Sequence, residues 1–320
     1  MNRRQFLHRA PAAGAAALTP EAAGAPGAAG HPQANETEVV IERPQQGRPH
    51  KGKVLVAIQP HADDISLFAS GTVAKLVQEG YTGHLIRVTN DDMAGPGTIG
   101  ETVLANEKDN DAVARVLGLK RVFNLNYNNH RLDDISVVEL RSRLIFLFRL
   151  LQADTVVCYD PWGHYEENPD HYVMARAIES ACWMAGMNKD YPEHFAAGLK
   201  PKSVRERYYF ARGPQLVNRV VDISKTVGTK IDCIVANKAQ GPGGDNGARL
   251  RRRLAAKGLR LPELGGDDET ANREYVRLFL LEANRELGRR YGLEYAEAFH
   301  YIGPKESPVE GYVAKHAVRL

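Results

Sequence analysis

The chain has 320 residues, of which 43% are hydrophobic, and a formal net charge of +3. That length holds one large α/β domain or two small ones, and the apolar share is enough for a sizeable core. The charge is too small for an electrostatic nucleic-acid surface, so no nucleic-acid partner is expected.

The first 29 residues read as a processing segment. Asn2-Arg-Arg-Gln-Phe-Leu7 has the form of a twin-arginine export signal; a weakly apolar Ala/Gly run from Ala10 to Leu18 and small residues from Ala22 to Ala29 follow it. The competing reading is a disordered Ala/Gly/Pro tail with two chance arginines. The apolar run is too short and too rich in glycine to span a bilayer, and no later stretch is long enough. The expected location is therefore outside the cytoplasm, periplasmic or extracellular. Residues 30–50 are polar and rich in Pro and Gly and read as a linker. Residues 51–320 read as one domain, with a helical extension from about residue 241. Cys158, Cys182 and Cys233 are widely spaced in apolar patterns, stand away from any histidine at metal spacing, and read as small buried hydrophobes.

From residue 54 strand and helix patterns alternate. Val54 to Ile58 is a short apolar run, the pattern of a strand buried on both faces. A helix over 65–79 follows, then a strand over 84–89, a helix over 102–117, a strand over 122–125, a helix over 135–151, a strand over 155–159 and a helix over 169–185. Further strands are expected at 208–210 and 217–223 and a helix at 225–239. Beyond Gln240 come a Gly-rich loop, a basic run at Arg249 to Arg253 that reads as a solvated helix face, and one long helix over 272–291. This alternation predicts a doubly wound, mostly parallel sheet with helices on both faces.

Two clusters carry chemistry. His61-Ala-Asp-Asp64 leaves the first buried strand, and Asn168-Pro-Asp-His171 opens a helix after the strand at 155–159. Ligands in open α/β sheets bind beyond the carboxyl ends of the strands. His61 and Asp64, three apart in a tight turn, can converge on one ion, and His171 in a first helical turn can join them. Two imidazoles and a carboxylate with open positions are the donor set of a catalytic zinc. The plainer alternatives are an Asp pair that caps the next helix and an ordinary first-turn histidine. Asn90, Asp91 and Asp92 follow the second strand and can hydrogen-bond a ligand there or form an ordinary polar loop. Trp162, Tyr165 and Tyr172 can stack on a flat ligand face or pack the pocket wall.

His61-Ala-Asp-Asp64 followed by Asn168-Pro-Asp-His171 resembles the paired motifs, His-Pro-Asp-Asp and His-Pro-Asp-His, of the PIG-L or LmbE-like zinc-dependent N-deacetylases. Weaker likenesses are Val116-Leu-Gly-Leu119, Tyr127-Asn-Asn-His-Arg-Leu132, Asp160-Pro-Trp-Gly163 and Val221-Asp-Ile-Ser224 leading to Lys230 and Gln240, so that the resemblance spans about 53–240. It implies a Rossmann-like, LmbE-like fold and one Zn²⁺ per chain on His61, Asp64 and His171, with Asp63 as general base. It also implies removal of acetyl from an N-acetylglucosamine-type sugar or glycoconjugate. Asn90, Asp92, Trp162, His164 and Asn168 are the candidate substrate contacts. The chain departs from the family pattern at Ala62, Ile65, Asn129-His130, Asn106-Glu-Lys-Asp109 and above all at Asn168, where the family has His. Asn168 cannot supply a proton at neutral pH, so the leaving amine's proton comes from Asp63 or His164, and Asp63 is favoured.

Two alternative functions stand beside this reading. One is a zinc amidase acting on a thiol conjugate or an antibiotic precursor, and the other a non-catalytic carbohydrate-binding protein on the same fold. A dinucleotide-dependent dehydrogenase is excluded because Gln59-Pro-His-Ala-Asp-Asp64 lacks a Gly-rich turn.

For export, replacing Arg3 and Arg4 together by lysine is expected to hold the protein in the cytoplasm. Periplasmic fractionation measures this, and an unchanged periplasmic yield would make the arginine pair incidental.

Overall fold

The computed structural model describes residues 38–304 and 307–319. The signal-like segment 1–29, with Arg3 and Arg4, and residues 30–37 lie outside them. Among the described residues no helix is long and apolar enough to cross a membrane.

In chain order the elements are β1 (Val40–Glu42), β2 (Val54–Gln59), α1 (Asp64–Phe68), α2 (Ser70–Gln78), β3 (Thr82–Thr89), α3 (Ile99–Val116), β4 (Val122–Tyr127), α4 (Val137–Leu151), β5 (Thr155–Tyr159) and α5 (Pro169–Met184). They continue with α6 (Pro192–Ala196), β6 (Glu206–Phe210), β7 (Arg219–Asp222), α7 (Val227–Ala236), α8 (Asn246–Ala255), α9 (Asp268–Phe279), α10 (Glu282–Arg290), β8 (Ala296–Ile302) and α11 (Pro308–His316). The strands form one eight-stranded sheet in the order β1-β7-β8-β6-β5-β2-β3-β4. Every pairing is parallel except those of β8, which runs antiparallel to both β6 and β7.

The expected βα alternation is present, and its physical source is burial. Leu55, Val56, Ala57 and Ile58 of β2 are wholly buried between helices on the two faces. Leu140, Leu144 and Leu147 of α4 pack inward at helical spacing. The chain runs β2 to β3 to β4 in one direction and then places β5 on the other side of β2. The carboxyl ends of β2 and β5 therefore flank the point where the winding reverses, the place where such sheets open a crevice. The three cysteines are buried and unpaired.

Four expectations need correction. The stretch 30–50, read as linker, contributes β1. Glu42 anchors it by accepting from Lys75 Nζ (2.8 Å), Arg219 Nη1 (2.7 Å) and the Tyr208 hydroxyl (3.0 Å), contacts up to 177 residues away in sequence. The helix over 65–79 is two helices meeting at Ala69. Glu297 accepts from the backbone amides of Gly71 (3.2 Å) and Thr72 (2.8 Å) at the start of α2, and Lys230 Nζ donates to the Leu67 carbonyl (2.6 Å) at the end of α1. Charges from two distant elements thus satisfy the backbone groups that the break frees. The helix over 272–291 is also two, α9 and α10. Leu281 turns into the core at the junction, and Arg285 Nη2 donates to the Arg277 carbonyl (3.2 Å). The expected helical extension is present as α8 to α11, but it also holds a strand, β8, inserted between β6 and β7. Its Glu297 hides the strand pattern, because the burial of that carboxylate depends on Lys230 at 2.7 Å.

Glu297 and Lys230 are both cut off from water, so removing one partner strands the other's charge. Glu297→Ala is expected to cost about 3–5 kcal/mol. Adding Lys230→Met should recover part of that loss. A urea-unfolding cycle measures it, and two simply additive losses would show that the pair is uncoupled.

Candidate metal centre

His61 and Asp64 stand in the turn between β2 and α1, and His171 in the first turn of α5. The turn is held by two backbone–side-chain bonds. The His61 amide donates to Asp64 Oδ2 (2.9 Å), and Gln59 Oε1 accepts from the Ile65 amide (2.9 Å). Proline at the first position of α5 and Asn168 before it set the other half. Asn168 Oδ1 accepts from the Asp170 amide (3.0 Å), so Asn168 is the helix cap. Asp63 makes no capping bond, and the plainer reading of the Asp pair does not hold for it.

Among the described residues, His61, Asp64 and His171 are a buried group whose potential ligand atoms lie within 4.8 Å of one another. His61 Nδ1 is 3.1 Å from His171 Nε2 and 3.4 Å from Asp64 Oδ2, and His171 Nε2 is 3.7 Å from Asp64 Oδ1. The far nitrogens face carboxylates. His61 Nε2 hydrogen-bonds Asp170 Oδ2 at 3.1 Å, and His171 Nδ1 lies 3.1 Å from Glu166 Oε2 in an ion-pair contact. With protons on those outer nitrogens, both inner nitrogens and Asp64 present lone pairs to one point. Such a cluster needs a positive charge at its centre. Burial opposes a proton on His61, but the hydrogen bonds to Asp170 and Asp64 outweigh it and hold the imidazole well above its usual range. Burial and the neighbouring His61 charge lower His171. The nitrogen–nitrogen–oxygen donor set fits a divalent cation of the zinc type.

The supporting residues extend the centre. The Tyr159 hydroxyl, at the end of β5, donates to Asp64 Oδ1 (2.7 Å), and its ring stacks on His171 with centroids 4.1 Å apart. Asp170 also accepts from the backbone amides of His130 (2.6 Å) and Leu132 (3.1 Å), which fixes the loop after β4 against the ligands. His130 adopts a left-handed conformation there, and its ring lies 6.1 Å from that of His61. Arg212 ion-pairs with Glu166.

Asp63 is partly buried and stands apart from the ligand group. Burial and the adjacent Asp64 carboxylate push it up to about 7. The loop after α7 lies against it. A side chain at Gly241, whose φ is +88°, would meet Asp63 Oδ2 at 3.1 Å. Asp109 accepts from the Lys238 and Ala239 amides (2.6 Å each), Gln240 Nε2 donates to Asn106 Oδ1 (2.8 Å), and Asn237 Nδ2 donates to the Ala62 carbonyl (2.9 Å). Those bonds end the helix expected over 225–239 at Ala236.

The candidate substrate residues divide. Asp92 accepts from the Asn128 side chain (2.9 Å) and the Asn129 amide (2.9 Å), and Asn90 Oδ1 accepts from the Asp92 amide (3.2 Å), so both join the loops after β3 and β4. Asp91 is buried beside Arg87, with burial raising it to about 6. Trp162 is half exposed, edge-on to Tyr209. His164 is exposed, bonds Pro214 through its backbone and makes no hydrogen bond to the ligand cluster. Sequence reasoning passed over Tyr159, Glu166 and Asp170 as functional groups. Asp170 lay within a quoted motif and Glu166 five residues before His171, but only spatial contact with the imidazoles marks either.

Residues 56–182 match the family model described as PIG-L: GlcNAc-PI de-N-acetylase. The chain is 27% identical over 194 residues to diacetylchitobiose deacetylase of Thermococcus kodakarensis, a match covering 59% of this chain and 71% of that protein. It superposes on N,N′-diacetylchitobiose deacetylase from Pyrococcus horikoshii with a TM-score of 0.62 at 23% identity, over 78% of this chain and 84% of that one. It also superposes on GalB, the 4-carboxy-2-hydroxymuconate hydratase of Pseudomonas putida KT2440, with a TM-score of 0.57 at 17% identity, over 80% and 98%. The two superpositions establish the fold alone.

Asp170→Asn keeps the size of the side chain and weakens the outer bond to His61. It is expected to lower Zn²⁺ affinity roughly 10–100-fold. Competition against a chromogenic chelator reads this directly, and an unchanged affinity would remove Asp170 from the centre.

Proposed function

We propose that this chain, which across residues 56–182 belongs to the PIG-L family of hydrolases, removes the acetyl group from the amide nitrogen of an N-acetylglucosamine-type sugar or glycoconjugate. The observation that carries the reading is the convergence of His61 Nδ1, His171 Nε2 and Asp64 on one point beside an uncommitted carboxylate, Asp63. The family match and the deacetylase of Thermococcus kodakarensis support the substrate class. The cation is proposed as Zn²⁺, one per chain, on the chemistry of the donor set.

An amide carbonyl is a poor electrophile, and water is a poor nucleophile at neutral pH. A divalent cation held by His61, Asp64 and His171 supplies Lewis acidity toward both. The residues of the chain do the rest. Asp170 keeps the His61 imidazole in the tautomer that presents its inner nitrogen, and the Glu166 carboxylate beside His171 Nδ1 favours the same arrangement there. Tyr159 orients Asp64. Asp63, raised toward neutrality, accepts a proton from water as its oxygen attacks the acyl carbon. The same carboxylic acid then returns that proton to the nitrogen as the C–N bond breaks, which yields a carboxylate and an amine. Asn168 is committed to its helix and His164 to the surface, and neither is needed for that transfer. Export by the twin-arginine-like segment remains part of the proposal and places the sugar substrate outside the cytoplasm.

Asp63→Asn preserves shape and removes basicity. Turnover of N-acetylglucosamine oligomers, followed by amine release, should fall roughly 10²–10⁴-fold with metal content unchanged. The fall in kcat/KM toward acid pH, which reports loss of the base, should vanish with it, while His164→Gln should change kcat little. A near-normal kcat in Asp63→Asn would take Asp63 out of the mechanism.

A further inference from the structure

A groove of about 610 Å³ begins one helical turn from the reacting groups. Asp63, the residue before α1, accepts through its carbonyl from the Leu67 amide (3.0 Å), and Asp64 and Phe68 are four apart on α1, so Leu67 and Phe68 lie one turn beyond Asp63 and Asp64. The Phe68 ring lies 5.9 Å from that of Tyr159, which stacks on His171, and 5.5 Å from that of Phe210. On the other side, a Cβ at Gly241 would meet Asp63, and its neighbour Pro242 lines the groove. The far wall is Phe279, Ala283 and Leu287 of α9 and α10, outside the segment 56–182. Phe279 is half exposed.

Most polar groups along this groove already have partners; Gln215 donates through Nε2 to the Tyr209 and Ala298 carbonyls, and its Oε1 is the buried polar atom left without one. Arg212 pairs with Glu166, Glu297 with Lys230, and Asn284 donates to the Ala296 carbonyl. An occupant therefore meets mostly apolar surface. The sheet order separates the two flanks of the centre. The polar loops bearing Asn90, Asp92 and Asn128 follow β3 and β4, on one side of β2, whereas the groove runs from the β6 side. An amide held at the centre would have its polar amine portion toward the first flank and its acyl portion toward the second.

Resting on the deacylase reading above, we propose that this groove is an acyl-chain subsite and that the chain prefers an N-acylated amino sugar with a medium-length apolar acyl group over the acetyl form. The reaction is unchanged in balance. Water adds its oxygen to the acyl carbon, the C–N bond breaks, the nitrogen takes one proton, and a fatty carboxylate leaves.

The test compares N-acetyl-, N-butanoyl- and N-octanoylglucosamine with the full chain loaded with Zn²⁺. Each methylene buried in the groove is worth up to about fourfold, so kcat/KM for the octanoyl compound should exceed that for the acetyl compound by ~10²-fold with only half of the chain buried. Ala283→Trp fills the groove and should bring the octanoyl-to-acetyl ratio down to about one. Calorimetric binding of N-octanoylglucosamine gives a readout independent of turnover, and Ala283→Trp should weaken it by roughly the same factor as it lowers the rate ratio. An acetyl rate equal to or above the octanoyl rate, or a ratio untouched by Ala283→Trp, would overturn the subsite and leave the deacetylase reading intact. Octanoyl binding that Ala283→Trp abolishes, with no amine released from any of the three, would overturn the deacylase reading and leave the subsite standing.

Discussion

An ion pair sealed from water, Glu297 with Lys230, sits behind the ligand-bearing turn and ties together elements from three parts of the chain. Burying either charge alone would be prohibitive, and burying both is tolerable only because their remaining hydrogen-bonding capacity is used. The carboxylate takes the amides of Gly71 and Thr72, and the ammonium takes the Leu67 carbonyl. The pair thereby fills the break between α1 and α2. α1 is left as a short helix that starts at Asp64 in the candidate centre and ends one turn later at Phe68, and β8 is drawn into the sheet between β6 and β7. α10 packs on that strand, and α9 packs on α7 and α8.

On the other side of the same turn the governing constraint is electrostatic. Two imidazole nitrogens and a carboxylate face one another, and the Tyr159 hydroxyl donates to that carboxylate from the end of β5. Asp170 bonds the outer nitrogen of His61, and Glu166 stands beside that of His171, so the inner nitrogens face each other. Asp63 lies outside this group, beside the loop at Gly241. Its raised pKa and its distance from the ligand set have one origin, a partly buried carboxylate beside another that already has its partners. The fold does not impose this chemistry, since a hydratase of similar architecture shares it.

Local pattern was enough for much of the architecture. Strand burial in Val54 to Ile58, the leucine spacing of α4 and the Asn-Pro start of α5 are short-range signals, and each element stands where the pattern puts it. The grouping of His61, Asp64 and His171 was legible for the same reason. His61 and Asp64 share one turn, and His171 opens a helix whose cap and first residue are adjacent in sequence. The doubly wound order then brings the ends of β2 and β5 side by side. What no window of sequence contains is a partner far along the chain. β1 is anchored through Glu42, β8 through Glu297, and each looked like polar surface because its counter-ion lies elsewhere. The breaks at Ala69 and Leu281 are invisible to periodicity, since long-range contacts satisfy the backbone groups that they free. Glu166 and Asp170 became recognisable only when folding set each against an imidazole. Helical period and capping are properties of neighbours in sequence, whereas the burial of a charge is a property of its surroundings in space, and those exist only after the chain has folded.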